Sequence, residues 1–156
     1  KSLENFFYIS LIKNIFPYSK IINCKRNPIF SIVSILKNNL TKVSWAHDLN
    51  HILEYFNTYF KVMENFKKLY PNFIYELQFE DFIKNPENES QKLFQFCNIP
   101  WSLKCLEYYK RKDLISKTAS NLQIRQPIQK DKLNENEDYK KFFKKYIDKY
   151  SWLSEL

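Results

Sequence analysis

The chain has 156 residues, enough for one domain with its own core or for a large piece of a bigger one. It carries 25 Lys+Arg against 17 Asp+Glu, a net charge of +8, which suits an anionic ligand such as a nucleotide, a nucleic acid or a membrane surface. Glycine is absent, so these residues hold no Gly-rich phosphate loop, because such loops need glycine for tight turns and close backbone approach.

The composition is dominated by Lys, Asn, Ile, Phe and Tyr, as AT-rich coding produces, so the lysine excess alone says little. Arginine occurs only at Arg26, Arg111 and Arg125. Where lysine is the default, an arginine suggests a need for planar, two-pronged contact. Cys24, Cys97 and Cys105 are odd in number and lack metal spacing, so buried free thiols in a reducing compartment are expected. No apolar run approaches membrane-spanning length and no signal peptide is visible, so the expected location is cytoplasmic.

In chain order, Leu3–Phe16 places Phe7, Leu11, Ile12, Ile15 and Phe16 at helical spacing, and Pro17 stops that helix. Ser19–Asn23 reads as a buried strand through Ile21 and Ile22, with Arg26 where it should end. Asn27 and Pro28 then offer an N-cap and a first helical residue for a helix to about Leu40. The longest element runs from about Trp45 to Leu69 and is closed by Pro71. Phe73–Phe79 reads as a second strand, followed by Glu80 and Asp81 at another strand–helix junction. Asn85-Pro86-Glu87 caps a helix to about Cys97, and Pro100 and Trp101 open a short one to about Lys110. Residues 116–133 are polar and weakly periodic, an ordered loop. A last helix, about Glu137–Tyr150, lines up Tyr139, Phe142, Phe143, Tyr146 and Tyr150. Two strands among helices imply an α/β sheet whose other strands precede Lys1.

A strand that ends in an arginine and turns into a capped helix makes a place for an anion. Backbone N–H groups and the helix dipole point at it, and a guanidinium can grip it with two parallel bonds. Ser34, eight residues after Arg26, adds a hydroxyl on the polar side of that helix. A solvated arginine is the plainer alternative. His47 and His51, four apart with Asp48 between them, could share a metal, but no third ligand is evident, and two polar residues on a solvated helix turn are the expected reading. Glu80 and Asp81 fit simple helix capping. The basic aromatic helix near the C-terminus could lie on a membrane or nucleic acid, although docking its aromatic face on the core is the expected outcome.

The string CKRNPIFSIVSI is similar to the 3′-phosphate-binding segment of sulfotransferases that use 3′-phosphoadenosine 5′-phosphosulfate (PAPS). The resemblance implies that Arg26 and Ser34 hold the 3′-phosphate. KSLENFFYISLI resembles the segment preceding that site in bacterial members often attached to tetratricopeptide repeats, which implies that Lys1 is directed at the transferring sulfuryl group. Leu3 stands where proline is usual. LQFEDFIKNPE resembles a Tyr-Glu-Asp motif of the family, with Phe79 in place of the tyrosine, so a ring near the adenine is kept and a hydroxyl contact is lost. FCNIPWSLKCLEYY is similar to a Cys-Gly-x-Pro-Trp stretch with Asn98 in place of glycine, to which a structural role is assigned. TASNLQIRQPIQ resembles the loop that closes over the nucleotide. By that likeness, drawn from the protein-tyrosine sulfotransferase branch, Ser120 lies near the sulfuryl group, Gln123 and Pro127 match cofactor-binding positions, and Arg125 is an added phosphate contact.

What the resemblance implies is one partial domain over residues 1–156, the C-terminal part of a PAPS-dependent sulfotransferase. The implied fold is α/β, a P-loop-kinase-like parallel sheet flanked by helices, here helix-rich, with the N-terminal strand and the 5′-phosphosulfate loop missing. PAPS would be the donor and 3′-phosphoadenosine 5′-phosphate (PAP) the product, with no metal. By the same resemblance a longer parent, with tetratricopeptide repeats upstream as in such members, would transfer the sulfuryl group to a hydroxyl or amine of a protein, carbohydrate or small molecule. This stretch alone is expected to be inactive. The rival reading is a non-catalytic, truncated or decayed module that keeps a nucleotide site or only the scaffold. A nucleic-acid partner rests on charge alone and is not expected.

Overall fold

The computed structural model describes residues 2–38, 40–111, 125–128 and 137–154. In chain order these form a 3₁₀ turn (Asn5–Tyr8), α1 (Ile9–Ile15), β1 (Ile21–Lys25), α2 (Pro28–Asn38), a 3₁₀ turn (Ser44–His47), α3 (Leu49–Leu69), β2 (Ile74–Gln78), α4 (Phe79–Lys84) and α5 (Pro86–Cys97). A 3₁₀ segment (Leu103–Lys110), α6 (Glu137–Phe143) and two short 3₁₀ turns, Lys144–Tyr146 and Ser151–Leu153, follow. The chain divides into two compact units, Lys1–Glu76 with Asn136–Leu156, and Leu77–Glu135.

The first unit is built on the parallel pair β1–β2, a small sheet in a helix-rich setting consistent with an α/β fold. Parallel neighbours need a crossover, and here α2 and α3 supply it. Along β1 the burial alternates: Ile21, Asn23 and Lys25 are half-buried, while Ile22 and Cys24 are exposed. One face is covered by α3, whose Tyr59 reaches Asn23, and the period-2 pleat turns the neighbours away. This corrects two expectations. Ile22 is exposed and Ile21 only half-buried, and Cys24 is an exposed thiol, with Cys97 and Cys105 half-buried and none of the three in a disulfide.

Two apolar clusters hold this unit. In one, Phe6, Ile9, Met63 and Phe73 meet, with Ile21, Tyr59 and Phe66 packed around them. In the other, Ile29 and Ile32 of α2 and Ile52 and Leu53 of α3 meet Phe143, Tyr150 and Leu153 from the C-terminal segment. Each fully buried Ile or Leu side chain here contributes about 1.5–3 kcal/mol. The docking of the C-terminal aromatics is therefore as expected for Phe143 and Tyr150, and Tyr150 Oη donates to Glu54 at 2.7 Å. Phe142 departs from the expectation and faces water at 47% exposure. The helix there is also shorter, breaking into a 3₁₀ turn after Phe143.

The N-terminal helix divides its apolar residues differently from the periodic reading. Phe6 and Ile9 are buried, whereas Phe7, Leu11, Ile15 and Phe16 are exposed. The long helix is also interrupted: Asp48 is extended (φ −125°, ψ 132°) and its side chain accepts from the His51 N–H at 3.1 Å. Such a bond caps α3 at Asp48 and leaves Ser44–His47 as a separate turn.

The second unit packs α4 against α5, with Ile83 buried. Asn85 caps α5, accepting from the Asn88 N–H at 3.4 Å, and Pro86 starts it. Asn98 ends it in the left-handed region at φ 57°, ψ 39°, the conformation for which helix ends recruit glycine or asparagine. Trp101 Nε1 donates to the buried Ser90 hydroxyl at 2.9 Å, a contact that ties the segment after α5 back to that helix.

Candidate functional site

Arg26 lies directly after β1 and before α2, where the strand–helix reading put it. Asn27 Oδ1 accepts from the Ile29 N–H at 2.9 Å, and Pro28 takes the first helical position. The strand stops here because proline cannot continue a ladder, and the asparagine satisfies one of the orphan donors of the new helix. Lys25, the last strand residue, is turned to the covered face, where Glu76 lies 3.7 Å from its Nζ and also accepts from Lys67 at 2.9 Å.

The Arg26 guanidinium stands over the Phe30 ring, 5.3 Å from its centroid. Phe30, Ser34 and Asn38 follow one another at four-residue steps on one face of α2. The stacking thus lays Arg26 along the helix face that carries Ser34. A guanidinium over an aromatic face is held by cation–π attraction, and its planar fork has the geometry to pair with a planar or tetrahedral oxyanion. Ser34 is half-buried, and its Oγ accepts from Asn38 Nδ2 at 3.1 Å. The sequence puts Asn38 on the polar side of this helix with Ser31 and Ser34 but assigns it no role, although its four-residue spacing from Ser34 is a readable signal.

Beneath β1, Tyr59 Oη donates to Asn23 Oδ1 at 2.7 Å, while Asn23 Nδ2 is buried and has no hydrogen-bond partner among the described residues. Burial pushes the Tyr59 phenol up to about 12, with the nearby Glu76 carboxylate adding to the shift. The group is neutral at physiological pH, a donor holding the strand three residues from Arg26. Tyr55, also pushed up to about 12 chiefly by burial, donates to the Leu3 carbonyl at 2.8 Å and stacks on Trp45 at 3.7 Å. Where α2 begins, Ile29 joins Phe143, Ile147 and Lys144 in lining a surface pocket of about 300 Å3.

In the second unit Phe79 opens α4 and is 40% exposed. Gln78 occupies the N-cap position without a side-chain cap bond to the helix, and its amide instead donates to the Glu80 carboxylate. Glu80 and Asp81 therefore act from the first turn, where negative charge favours the helix dipole, rather than as the cap itself. Arg125 and Pro127 are exposed, and between them the Gln126 carbonyl accepts from Tyr108 Oη at 3.0 Å. Lys1, Ser120 and Gln123 lie outside the described residues.

His47 and His51 are both exposed and sit on different elements, on either side of the Asp48 cap. Among the described residues no group of three or more His, Cys, Asp or Glu is placed to hold a metal ion. Among them, too, no helix is long and apolar enough to cross a membrane.

Comparison with known proteins bears on the same segments. An uncharacterized protein of Aquifex aeolicus (strain VF5) is 35% identical over 149 residues, which cover 93% of this chain but 19% of that relative's length. A family model described as "Sulfotransferase family" matches residues 1–102, the stretch that contains Arg26, Ser34 and Phe79. That match takes in well over half of the chain, together with the strand–arginine–capped-helix unit just described, and the chain belongs to the sulfotransferase family.

Proposed function

We propose that this chain is the 3′-phosphoadenosine-binding, C-terminal part of a PAPS-dependent sulfotransferase domain, of the bacterial branch associated with tetratricopeptide repeats and resembling the protein-tyrosine sulfotransferases. The observation that carries this reading is the Arg26–Phe30–Ser34 face of α2, where a stacked guanidinium precedes a capped helix bearing a half-buried hydroxyl. Family membership supports sulfuryl transfer as the chemistry and PAPS as the donor. PAPS supplies an activated sulfuryl group with PAP as its leaving group.

The residues present fit the 3′-phosphate end of that donor. Arg26 would pair two of its N–H groups with phosphate oxygens, and the ring of Phe30 would hold the fork in plane. Ser34 would donate its hydroxyl. Phe79 would pack near the adenine without the hydroxyl of a tyrosine, and Arg125, Gln123 and Pro127 would border the nucleotide. Lys1 and Ser120 are proposed to face the sulfuryl group, where a cation and a hydroxyl offset charge developing on the transferred oxygens. With no glycine among the 156 residues, we assign the cradle of the 5′-phosphosulfate to sequence outside them, in a domain built like the P-loop kinases. The same lack favours a second reading, a nucleotide-binding module that carries out no transfer by itself.

Ligand-dependent melting tests the site. A ligand at a hundred times its dissociation constant stabilises the form that binds it by about 2.7 kcal/mol. PAP should raise the melting temperature more than AMP, which lacks the 3′-phosphate, and Arg26→Ala should erase the difference. Equal shifts by PAP and AMP in the native protein would contradict the assignment.

A further inference from the structure

The hydroxyl of Ser34 is held unlike those of Ser31, Thr58 and Ser90, which also lie inside helices. Ser31 donates back to the Asn27 carbonyl at 3.4 Å, Thr58 to the Glu54 carbonyl at 3.0 Å and Ser90 to the Glu87 carbonyl at 2.8 Å. Such back-bonding is the ordinary fate of a serine or threonine inside a helix. Among the described residues Ser34 Oγ makes no such bond; it accepts from Asn38 Nδ2 at 3.1 Å instead. The identity of that donor follows from its second contact. Asn38 Nδ2 also lies 2.7 Å from the main-chain carbonyl of Ser34, which can only accept, so the amide edge turned to Ser34 is the NH2.

A hydroxyl has one hydrogen to give and two lone pairs. With Asn38 donating into one lone pair, the Ser34 hydrogen is the part of the group left for another acceptor. On this face of α2 the neighbouring group is Phe30, over which Arg26 is stacked. We propose that Asn38 is a positioning residue of the 3′-phosphate subsite: by donating to Ser34 Oγ it commits the serine hydroxyl to act as a donor, so that Arg26 and Ser34 together select a ligand group that only accepts. The inference rests on the site reading given above and adds a residue to it. Asn38 itself touches no phosphate in this account and acts through Ser34.

A double-mutant cycle on ligand selectivity tests this with the native chain, measuring PAP and AMP dissociation constants by calorimetry. Asn38→Ala should reduce the preference for PAP over AMP about 3–10-fold, the scale of one hydrogen bond's orientation. In a Ser34→Ala background the same change should leave the preference unaltered within about twofold, because the group it orients is gone. Asn38→Asp should lower the preference further than Asn38→Ala, since a carboxylate would draw the Ser34 hydrogen to itself. A purely structural role at the end of α2 would shift the melting temperature in both backgrounds and leave the PAP to AMP ratio unmoved, which would overturn the proposal. A loss of preference that persists in the Ser34→Ala background would overturn it equally. Absence of any PAP preference in the native protein, or indifference of that preference to Arg26→Ala, would remove the site reading and this inference with it.

Discussion

The pair under the strand offers the sharpest test of how the scaffold holds Arg26 in place. In Tyr59→Phe the ring remains, with its edge-on packing against Phe6 at 5.3 Å, and only the hydroxyl is removed. That hydroxyl donates to Asn23 Oδ1 at 2.7 Å, and Asn23 Nδ2 is already buried without a partner among the described residues. The substitution therefore leaves a whole buried amide unpaired. A lost net hydrogen bond is worth about 0.5–1.5 kcal/mol, and an orphaned buried polar group costs about 1–3 kcal/mol, so the loss should fall near 1–3 kcal/mol. Replacing both partners, with Asn23→Leu added to Tyr59→Phe, should recover much of it, because no polar group is then stranded. Urea denaturation of the four proteins at neutral pH gives the cycle. The same phenol predicts an alkaline limit. Its folded pKa is raised to about 12, above the free value near 10, so the folded chain keeps a proton that the unfolded chain releases. Stability from this group is complete below about pH 10 and is lost as pH climbs towards 12, with Tyr55 acting in the same direction. Tyr59→Phe should flatten that decline. A single mutant within about 0.5 kcal/mol of the native protein, with an unchanged alkaline slope, would refute the reasoning.

Three further outcomes follow from local geometry. Asp48→Ala should destabilise the chain by about 1 kcal/mol through loss of the α3 cap, and Asp48→Asn should keep most of that stability, both read from denaturation midpoints. Asn98→Ala should cost about 1–2 kcal/mol at its left-handed position, whereas Asn98→Gly should be neutral or slightly stabilising; equal effects would contradict the φ of 57°. Arg26→Lys keeps the charge but loses the two-pronged fork, so its preference for PAP over AMP should fall between those of the native protein and Arg26→Ala.

Much of the fold was legible because the breaks are chemically loud. Pro17, Pro71 and the Asn-Pro pairs at 27–28 and 85–86 end or begin elements where they should, and Arg26 sits at the strand end for the same reason. Two features were hidden. Residues 6–16 are apolar on nearly every side, so periodicity showed a helix but could not say that Phe6 and Ile9, rather than Phe7 and Leu11, are covered. The apolar spacing also runs unbroken from Trp45 into Leu49, and only the reach of the Asp48 carboxylate to the His51 N–H cuts the helix there. At the site, types and spacing suggested Arg26 and Ser34. The stacking on Phe30 and the donor role of Asn38 depend on which way side chains turn, which a string of letters does not carry.

The central claim, that the α2 face reads a 3′-phosphate, is tested most directly by the ratio of AMP to PAP dissociation constants for the native chain and for Arg26→Ala. A desolvated charge contact of this kind is worth about 2–5 kcal/mol when one member is removed. The account predicts that PAP binds the native protein about 30-fold or more tightly than AMP, and that Arg26→Ala brings the two ligands within about threefold of each other. If Arg26→Ala weakens both ligands equally, or neither, Arg26 is part of a general basic surface and the claim is wrong.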